Sequence, residues 1–282
     1  MLCRDRIDLS REHRASDRVD LVRVDLGLKT VLHSRFENST AFLRCKDAGF
    51  TENVAIFRKT PVCRRGDHFL AEDADPVEGA KALAMLLMTL RGTPFIYQGE
   101  ELGMTNVNRN SIEEYDDISS HNQYKMALEN GLSEEQALKS VQQFSRDNAR
   151  SPMQWNTDVN AGFTSGTPWL AVADNYLTVN AATEDADKKS VLNWYRTLNE
   201  LRKEHPVFAD GSYKELREDS EELFEYVREN EDERILVVIN FTGKEVDFIP
   251  DNSGTIEFLI SSYGDDNGGI LRPYEAMCYI YK

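Results

Sequence analysis

Apolar side chains recur at helical spacing from Val77 to Arg91, and Gly92 follows this run. A short apolar stretch, Pro94–Tyr97, comes next and predicts a β-strand. It ends on a polar, glycine-flanked group, Gln98-Gly99-Glu100-Glu101. Helix, strand and then polar residues at the carboxyl end of the strand are typical of a barrel or a doubly wound α/β protein. This group therefore predicts part of the rim of a pocket.

The next residues, 104–150, form a long polar connection with two predicted helices, around Ser119–Asn130 and from Ser133 to Phe144. Ser133 and Gln136 have the spacing of a capping box at the start of the second helix. Long connections in a compact domain are usually functional, so we expect 104–150 to be a lid or a pocket wall. An amphipathic helix is predicted over Asp187–His205.

From residue 206 onward the hydrophobic period changes from helical to alternating. Strands are predicted at residues 223–227, 234–241, 255–260 and 274–281, with turn residues between them. We expect an all-β sandwich of antiparallel sheets over residues 206–282, preceded by an α/β domain over residues 76–205.

Residues 1–75 differ from the rest of the chain and show no sustained period. Residues 1–70 hold 14 basic and 10 acidic side chains, whereas residues 71–282 hold 19 and 39. Two hypotheses explain the difference. The segment is either a separate basic module or a stretch without an evolved role, such as a wrong reading frame or a misjoined gene model, and we favour the second.

The net charge of −16 argues against nucleic acid and anionic membranes as partners. No apolar run is long enough to cross a bilayer, and the first residues lack the apolar core of a signal peptide. The four cysteines show no metal or redox spacing, which favours ordinary thiols in a reducing compartment. We therefore expect a cytoplasmic protein.

The segments Gly92–Asn106, Arg146–Trp155 and Leu271–Ala276 together resemble glycoside hydrolase family 13, the α-amylase family. Gly92–Asn106 resembles its last barrel strand. Arg146–Trp155, followed by Ala161–Thr164, is similar to the oligo-1,6-glucosidase, α-glucosidase and trehalose-6-phosphate hydrolase branch, and Leu271–Ala276 is similar to its closing strand. The resemblance covers about residues 76–282. It implies an α/β remnant of a (β/α)8 barrel, with Pro94–Tyr97 as the eighth strand, plus a C-terminal all-β sandwich.

The resemblance implies a retaining glycoside hydrolase that acts, in complete relatives, on short α-glucosides. Retention needs two carboxyl groups about 5–5.5 Å apart, a nucleophile and a proton donor. In the family these carboxyls, and an Asn-His-Asp motif, all precede the matching segment. Residues 1–75 contain no Asn-His-Asp, and we discount Asp25, which lacks the flanking motif. We therefore assign no catalytic residue and expect a truncated, inactive α-glucosidase.

The candidate substrate-binding residues are Gln98, Glu100 and Arg146. Glu100 and Glu101 are adjacent, so on an extended strand only one of them faces the pocket. That carboxylate is either on the pocket floor or a solvated or salt-bridged rim charge. The resemblance places Arg146 on the aglycone side of the pocket, whereas a structural salt bridge is the expected role of Arg150. The expected ligand is a small oligosaccharide. We expect no cofactor, and no metal because the calcium-type loop of the family is absent.

Three aromatic residues, Trp155, Phe163 and Trp169, could stack on sugar rings, but at this spacing we favour packing between barrel and loop. Many relatives have Asp-Ile-Glu where this chain has Asp117-Ile118-Ser119. This departure removes the support for a contact from a lid carboxylate. Separately, an alternative function is a non-catalytic amylase-like protein for interaction or sugar binding.

Overall fold

The computed structural model describes residues 75–217, 220, 222–250 and 254–282, together with the backbone of three earlier strands. These strands, β1 (Thr30–His33), β2 (Phe42–Cys45) and β3 (Val54–Ile56), form an antiparallel sheet in the order β1-β2-β3. The rest of residues 1–74, including Asp25, lies outside the described residues, and so do both hypotheses about this segment.

Helix α1 (Pro76–Thr89) corresponds to the predicted run from Val77. Its N-terminus is capped by Asp75, whose carboxylate accepts the backbone N–H groups of Val77 and Glu78 at 2.9 and 3.2 Å. Proline at the first helical position suits this end, because its missing N–H would have no partner in the helix.

The predicted strand Pro94–Tyr97 is not a strand in the structure. A strand needs a neighbour to bind its N–H and C=O groups, and no described strand pairs with this segment. The chain instead turns at Gly99, where φ is +87°, into a short 3-10 helix, Glu100–Leu102. The argument that Glu100 and Glu101 point to opposite sides of a strand is therefore wrong, because both lie in a helical turn.

Two helices of the long connection form a hairpin, α2 (Ile118–Glu129) and α3 (Glu134–Phe144), and both predictions are confirmed. The predicted capping box is also present. The Ser133 hydroxyl accepts the N–H of Gln136 at 3.2 Å, and the Gln136 side chain accepts the N–H of Ser133 at 3.0 Å. The other α-helices of the described residues are α4 (Asp147–Arg150), α5 (Ala181–Ala186), α6 (Val191–Glu204) and α7 (Val207–Asp210).

A five-stranded antiparallel sheet forms the C-terminal part, in the order β4-β5-β6-β10-β8. Beside it lies a two-stranded ribbon, β7-β9. The strands are β4 (Ser212–Glu215), β5 (Leu223–Glu229), β6 (Arg234–Asn240), β7 (Val246–Asp247), β8 (Ile256–Ser261), β9 (Ile270–Leu271) and β10 (Ala276–Tyr281). The four predicted strands correspond to β5, β6, β8 and β10, whereas β4, β7 and β9 were not predicted.

The central strand β6 is buried on both faces. Ile235, Val237 and Ile239 pack in one cluster with residues of α1 and α6. Leu236 and Val238, which alternate with them, pack in a second cluster with residues of the ribbon. The sheet is thus covered by helices on one side and by the ribbon on the other.

A buried cation ties the helical part to the sheet. The Arg228 side chain on β5 is fully buried and donates to the backbone carbonyls of Thr89 (2.6 Å), Phe208 (3.0 Å), Gly211 (2.8 Å) and Ser212 (2.9 Å). Burial lowers the pKa of this guanidinium to about 10. One acceptor, Thr89, is the last residue of α1, and the other three lie in the chain that leads to β5. The Arg228 side chain therefore fixes this helix against the sheet.

Candidate functional site

The polar residues after Tyr97 and the segment around α4 lie next to each other. The Tyr97 hydroxyl donates to the carbonyl oxygen of Ala149, in α4, at 3.0 Å. This bond joins the turn that carries Gln98 and Glu100 to the segment that carries Arg146. The long connection 104–150 thus folds back onto the predicted rim.

Both glutamates of the rim support their own turn. Glu100 accepts the backbone N–H of Tyr97 at 3.1 Å, and Glu101 accepts the N–H of Gly99 at 2.8 Å. Glu100 is half-buried, whereas Gln98 is exposed. The Glu100 carboxylate therefore supports its own turn, and its position relative to a sugar stays a prediction.

Arg146 forms an ion pair with Asp117, the residue that precedes α2. Its Nε and Nη2 groups donate to one carboxylate oxygen of Asp117, at 3.1 and 2.6 Å. Asp117 is buried, and burial alone would raise the pKa of its carboxyl. The hydrogen bonds from Arg146 and Ser120 outweigh this effect, so the pKa of Asp117 lies below its ordinary value.

About half of the Arg146 side chain, 53%, remains exposed. Among the residues that the structure describes, its Nη1 group has no hydrogen-bond partner. Arg146 thus has one edge fixed by Asp117 and a donor that faces outward, an arrangement suited to a sugar hydroxyl or a carboxylate.

Asp147 is buried and belongs to a second ion pair. One of its carboxylate oxygens accepts the backbone N–H groups of Asp116 and Asp117, at 2.8 and 3.1 Å, and the other is paired with Arg150. The salt bridge expected for Arg150 is confirmed. Because Asp147 binds the backbone of Asp117, it also orients the partner of Arg146.

The aromatic residues are more exposed than expected. Trp155, Phe163 and Trp169 are 52, 48 and 63% exposed, so each is only partly covered, and packing between barrel and loop stays a prediction. Trp169 lies beneath the guanidinium of Arg150, 4.8 Å from the ring centre, and its Nε1–H donates to Asp116 at 2.8 Å. The ring is therefore held in place while most of its surface faces solvent.

Two described carboxyls have a raised pKa, Glu184 and Glu275, and in both cases burial is the main cause. Neither belongs to this cluster. Glu184 accepts the N–H of Leu192 at the start of α6, and Glu275 accepts the Ser261 hydroxyl and the N–H of Arg272 before β10. Both stabilise local structure.

Within the described residues, no group of three or more His, Cys, Asp or Glu side chains is arranged to hold a metal ion. In the same part of the chain, no helix has the length and apolar character needed to span a bilayer.

Sequence reasoning missed the acidic partners in the site. The hydrogen bonds that hold the site together involve Asp116, Asp117 and Asp147. The residues predicted from the sequence to bind substrate were Gln98, Glu100 and Arg146. The sequence shows two pairs of neighbouring charged residues, Asp116-Asp117 and Arg146-Asp147. It does not show that these two pairs contact each other across about 30 residues.

Comparison with solved structures identifies the class of protein. The trehalose-6-phosphate hydrolase of Bacillus licheniformis aligns with a TM-score of 0.73 at 40% identity, over 78% of this chain and 41% of that one. The trehalulose synthase of Pseudomonas mesoacidophila MX-45 aligns with a TM-score of 0.72 at 37% identity, over 79% and 42%. The helices and the sheet are therefore a remnant of a (β/α)8 barrel followed by a β-domain.

A sequence profile of the α-amylase family, described as the alpha amylase catalytic domain, matches residues 63–211. The chain belongs to this family. An oligo-1,6-glucosidase of Halalkalibacterium halodurans is 45% identical over 214 residues, which are 73% of this chain and 38% of that protein. The chain thus spans less than half the length of the relatives that it matches.

Proposed function

We propose that this chain supplies the C-terminal part of a retaining α-glucosidase of the oligo-1,6-glucosidase type, namely one wall of the sugar pocket and the β-domain behind it. In this proposal Gln98, Glu100 and Arg146 contact the sugar, and the chain alone has no turnover. Complete proteins of this kind would hydrolyse short α-glucosides with retention of configuration.

The Arg146–Asp117 pair is the observation that carries the proposal. A proton donor for glycoside hydrolysis needs a carboxyl with a raised pKa, and the pKa of Asp117 is lowered by its partners. Asp147 is likewise committed to Arg150 and to two backbone N–H groups. These carboxylates hold an arginine donor in place, which supports a binding role and not acid catalysis.

Hydrolysis of p-nitrophenyl α-glucoside tests the proposal. The purified 282-residue protein is expected to release no p-nitrophenol above the rate without protein. Turnover that is lost in Glu100→Gln and retained in the matched variant Glu113→Gln, an exposed glutamate in the connection that follows, would overturn it.

A second candidate function is sugar binding without hydrolysis, favoured by the exposed rings of Trp155, Phe163 and Trp169. Titration calorimetry with a short α-glucoside distinguishes the two. Binding by the chain alone that is weakened in Trp169→Ala would support the second function, whereas the first expects a sugar site that is incomplete without the rest of the barrel.

A further inference from the structure

Arg109, in the connection that follows the rim, is a buried cation without a hydrogen-bond partner. Its side chain is 2% exposed, and Arg109 and Arg228 are the two largest fully buried side chains of the described residues. Arg228 donates to four backbone carbonyls. In contrast, none of the three guanidinium nitrogens of Arg109 has an acceptor within the described part of the chain. A buried ionised group without an acceptor or an opposite charge is strongly destabilising.

A second polar group without a partner lies beside this guanidinium. The Tyr115 side chain is also 2% exposed, and the guanidinium carbon of Arg109 lies 5.1 Å from the centre of its ring. Among the same residues, the Tyr115 hydroxyl has no hydrogen-bond partner. Burial is the main cause that raises the pKa of this hydroxyl, so the group stays protonated and can donate. Two neighbouring buried side chains therefore have unused hydrogen-bond donors.

The acidic residues that follow Arg109 in the chain bind other groups or face solvent. Glu113 is exposed, and Glu114 accepts the backbone N–H groups of the two residues after Arg109, at 3.0 and 3.1 Å. Asp116 and Asp117 bind side chains of the candidate site described above. None of these four carboxylates binds the Arg109 guanidinium.

The backbone of both residues is held by the hairpin of α2 and α3. Gln142 of α3 donates to the carbonyl oxygen of Arg109 at 2.9 Å. The Nε2 atom of His121, on α2, lies 2.7 Å from the carbonyl oxygen of Tyr115. Because the main chain is fixed at these two points, a ligand of the two side chains would order little additional chain on binding.

We propose that Arg109 and Tyr115 form a binding site for one small monovalent anion, such as chloride or a short carboxylate. A single negative charge neutralises the single guanidinium, whereas a dianion would leave an excess charge in the interior. The guanidinium and phenol groups supply N–H and O–H donors for such an anion. Full burial of both side chains restricts the site to small ions.

A water molecule is the alternative occupant of this position. Water would accept the same hydrogen bonds but would leave the charge of Arg109 uncompensated. Neither Arg109 nor Tyr115 has a side-chain bond to Gln98, Glu100 or Arg146. Anion binding is therefore independent of the proposed sugar site, and the two proposals succeed or fail separately.

Thermal unfolding of the full 282-residue chain at constant ionic strength tests the site. Sodium chloride, formate, sulfate and the salt of the bulky sulfonate MES replace one another, and circular dichroism measures the midpoint temperature, Tm. We expect chloride or formate to raise Tm above its value in MES by about 2–5 °C, with saturation, because a ligand of the folded state stabilises that state. The anion that saturates at the lower concentration shows whether a halide or a carboxylate fits better.

Arg109→Met removes the charge and keeps much of the side-chain volume. In MES we expect this variant to have a Tm about 2–5 °C higher than the unchanged protein, because an unpaired buried cation is gone. We expect no saturable response of its Tm to chloride or formate. The control is Arg196→Met, which changes a 55% exposed arginine of α6 and should leave the response to anions unaltered.

Tyr115→Phe removes only the phenolic hydroxyl. We expect this variant to fold and to need about fivefold more anion for half-saturation, as expected for the loss of one hydrogen bond. An unchanged half-saturating concentration would exclude Tyr115 from the site.

Four results would overturn the anion site as a whole. The first is a Tm of the unchanged protein that is equal in chloride, formate and MES, as expected for water in this position. The second is an equal response to these anions in Arg109→Met and Arg196→Met. The third is a lower Tm of Arg109→Met than of the unchanged protein in MES. The fourth is a saturable response to sulfate that Arg109→Met abolishes, because it would contradict the requirement for a single charge.

Discussion

Arg228 is fully buried although it carries a positive charge, and it has four carbonyl acceptors instead of a carboxylate. Replacing it with methionine keeps much of its volume but leaves these carbonyls without a donor. We expect Arg228→Met to lower the free energy of unfolding by about 3 kcal/mol. Urea unfolding followed by far-ultraviolet circular dichroism measures this loss.

Arg196→Met is the control for this prediction. Arg196 lies on α6, is 55% exposed and pairs with Asp185 at 2.7 Å. An exposed ion pair of this kind is worth less than about 1 kcal/mol. If the two variants lost similar free energies of unfolding, the buried position of Arg228 would not be the reason for its contribution to stability.

Single residues of the candidate site were predictable from the sequence, but their partners were not. Arg146 and Arg150 stand out beside Asp147 and Asn148, and a salt bridge for Arg150 was expected correctly. The pairing of Arg146 with Asp117 depends on how the connection between them folds back, which no local spacing encodes.

At the scale of helices and strands, the hydrophobic pattern was sufficient to predict an element where the pattern extended over several residues. Helices α3 and α6 have an apolar face at helical spacing, and both were predicted. Helix α2 and strands β5, β6, β8 and β10 were also predicted, although β6 is a continuous apolar run that is buried on both faces. Strands β7 and β9 have two residues each, too few to show a period. Pro94–Tyr97 has the pattern of a strand, yet a strand also requires a neighbour, which the pattern does not contain.

The capping box of α3 permits a prediction at this scale. Ser133→Ala removes the acceptor for the Gln136 N–H and is expected to destabilise the helix by about 1 kcal/mol. Amide exchange in residues 134–144 should become about fivefold faster if it proceeds through local opening. Ser119→Ala, an exposed serine in the first turn of α2, is the control and should leave exchange in α3 unchanged.

At the scale of the molecule, the larger of the two hydrophobic clusters among the described residues joins α1, α6 and one face of the sheet. Met85 of α1 is fully buried, and its sulfur lies 3.6 Å from that of Cys278 on β10. We expect Met85→Ala to cost about 2–5 kcal/mol and to increase amide exchange in α1 and in β10 together.

The matched variant is Met126→Ala, which removes a side chain of α2 that is 60% exposed and should have little effect. A change confined to α1 in Met85→Ala would mean that the parts before and after residue 205 unfold independently, as expected for two separate domains. A joint change would mean that they form one cooperative unit.

The three tryptophans of the chain experience two different surroundings. Trp194 is 7% exposed and donates to the carbonyl of Lys81, whereas Trp155 and Trp169 face solvent. A soluble quencher such as acrylamide should therefore extinguish the emission of the outer two indoles and leave a blue-shifted remainder from the inner one. This remainder is an optical reporter of the contact between α1 and α6, available without any attached dye.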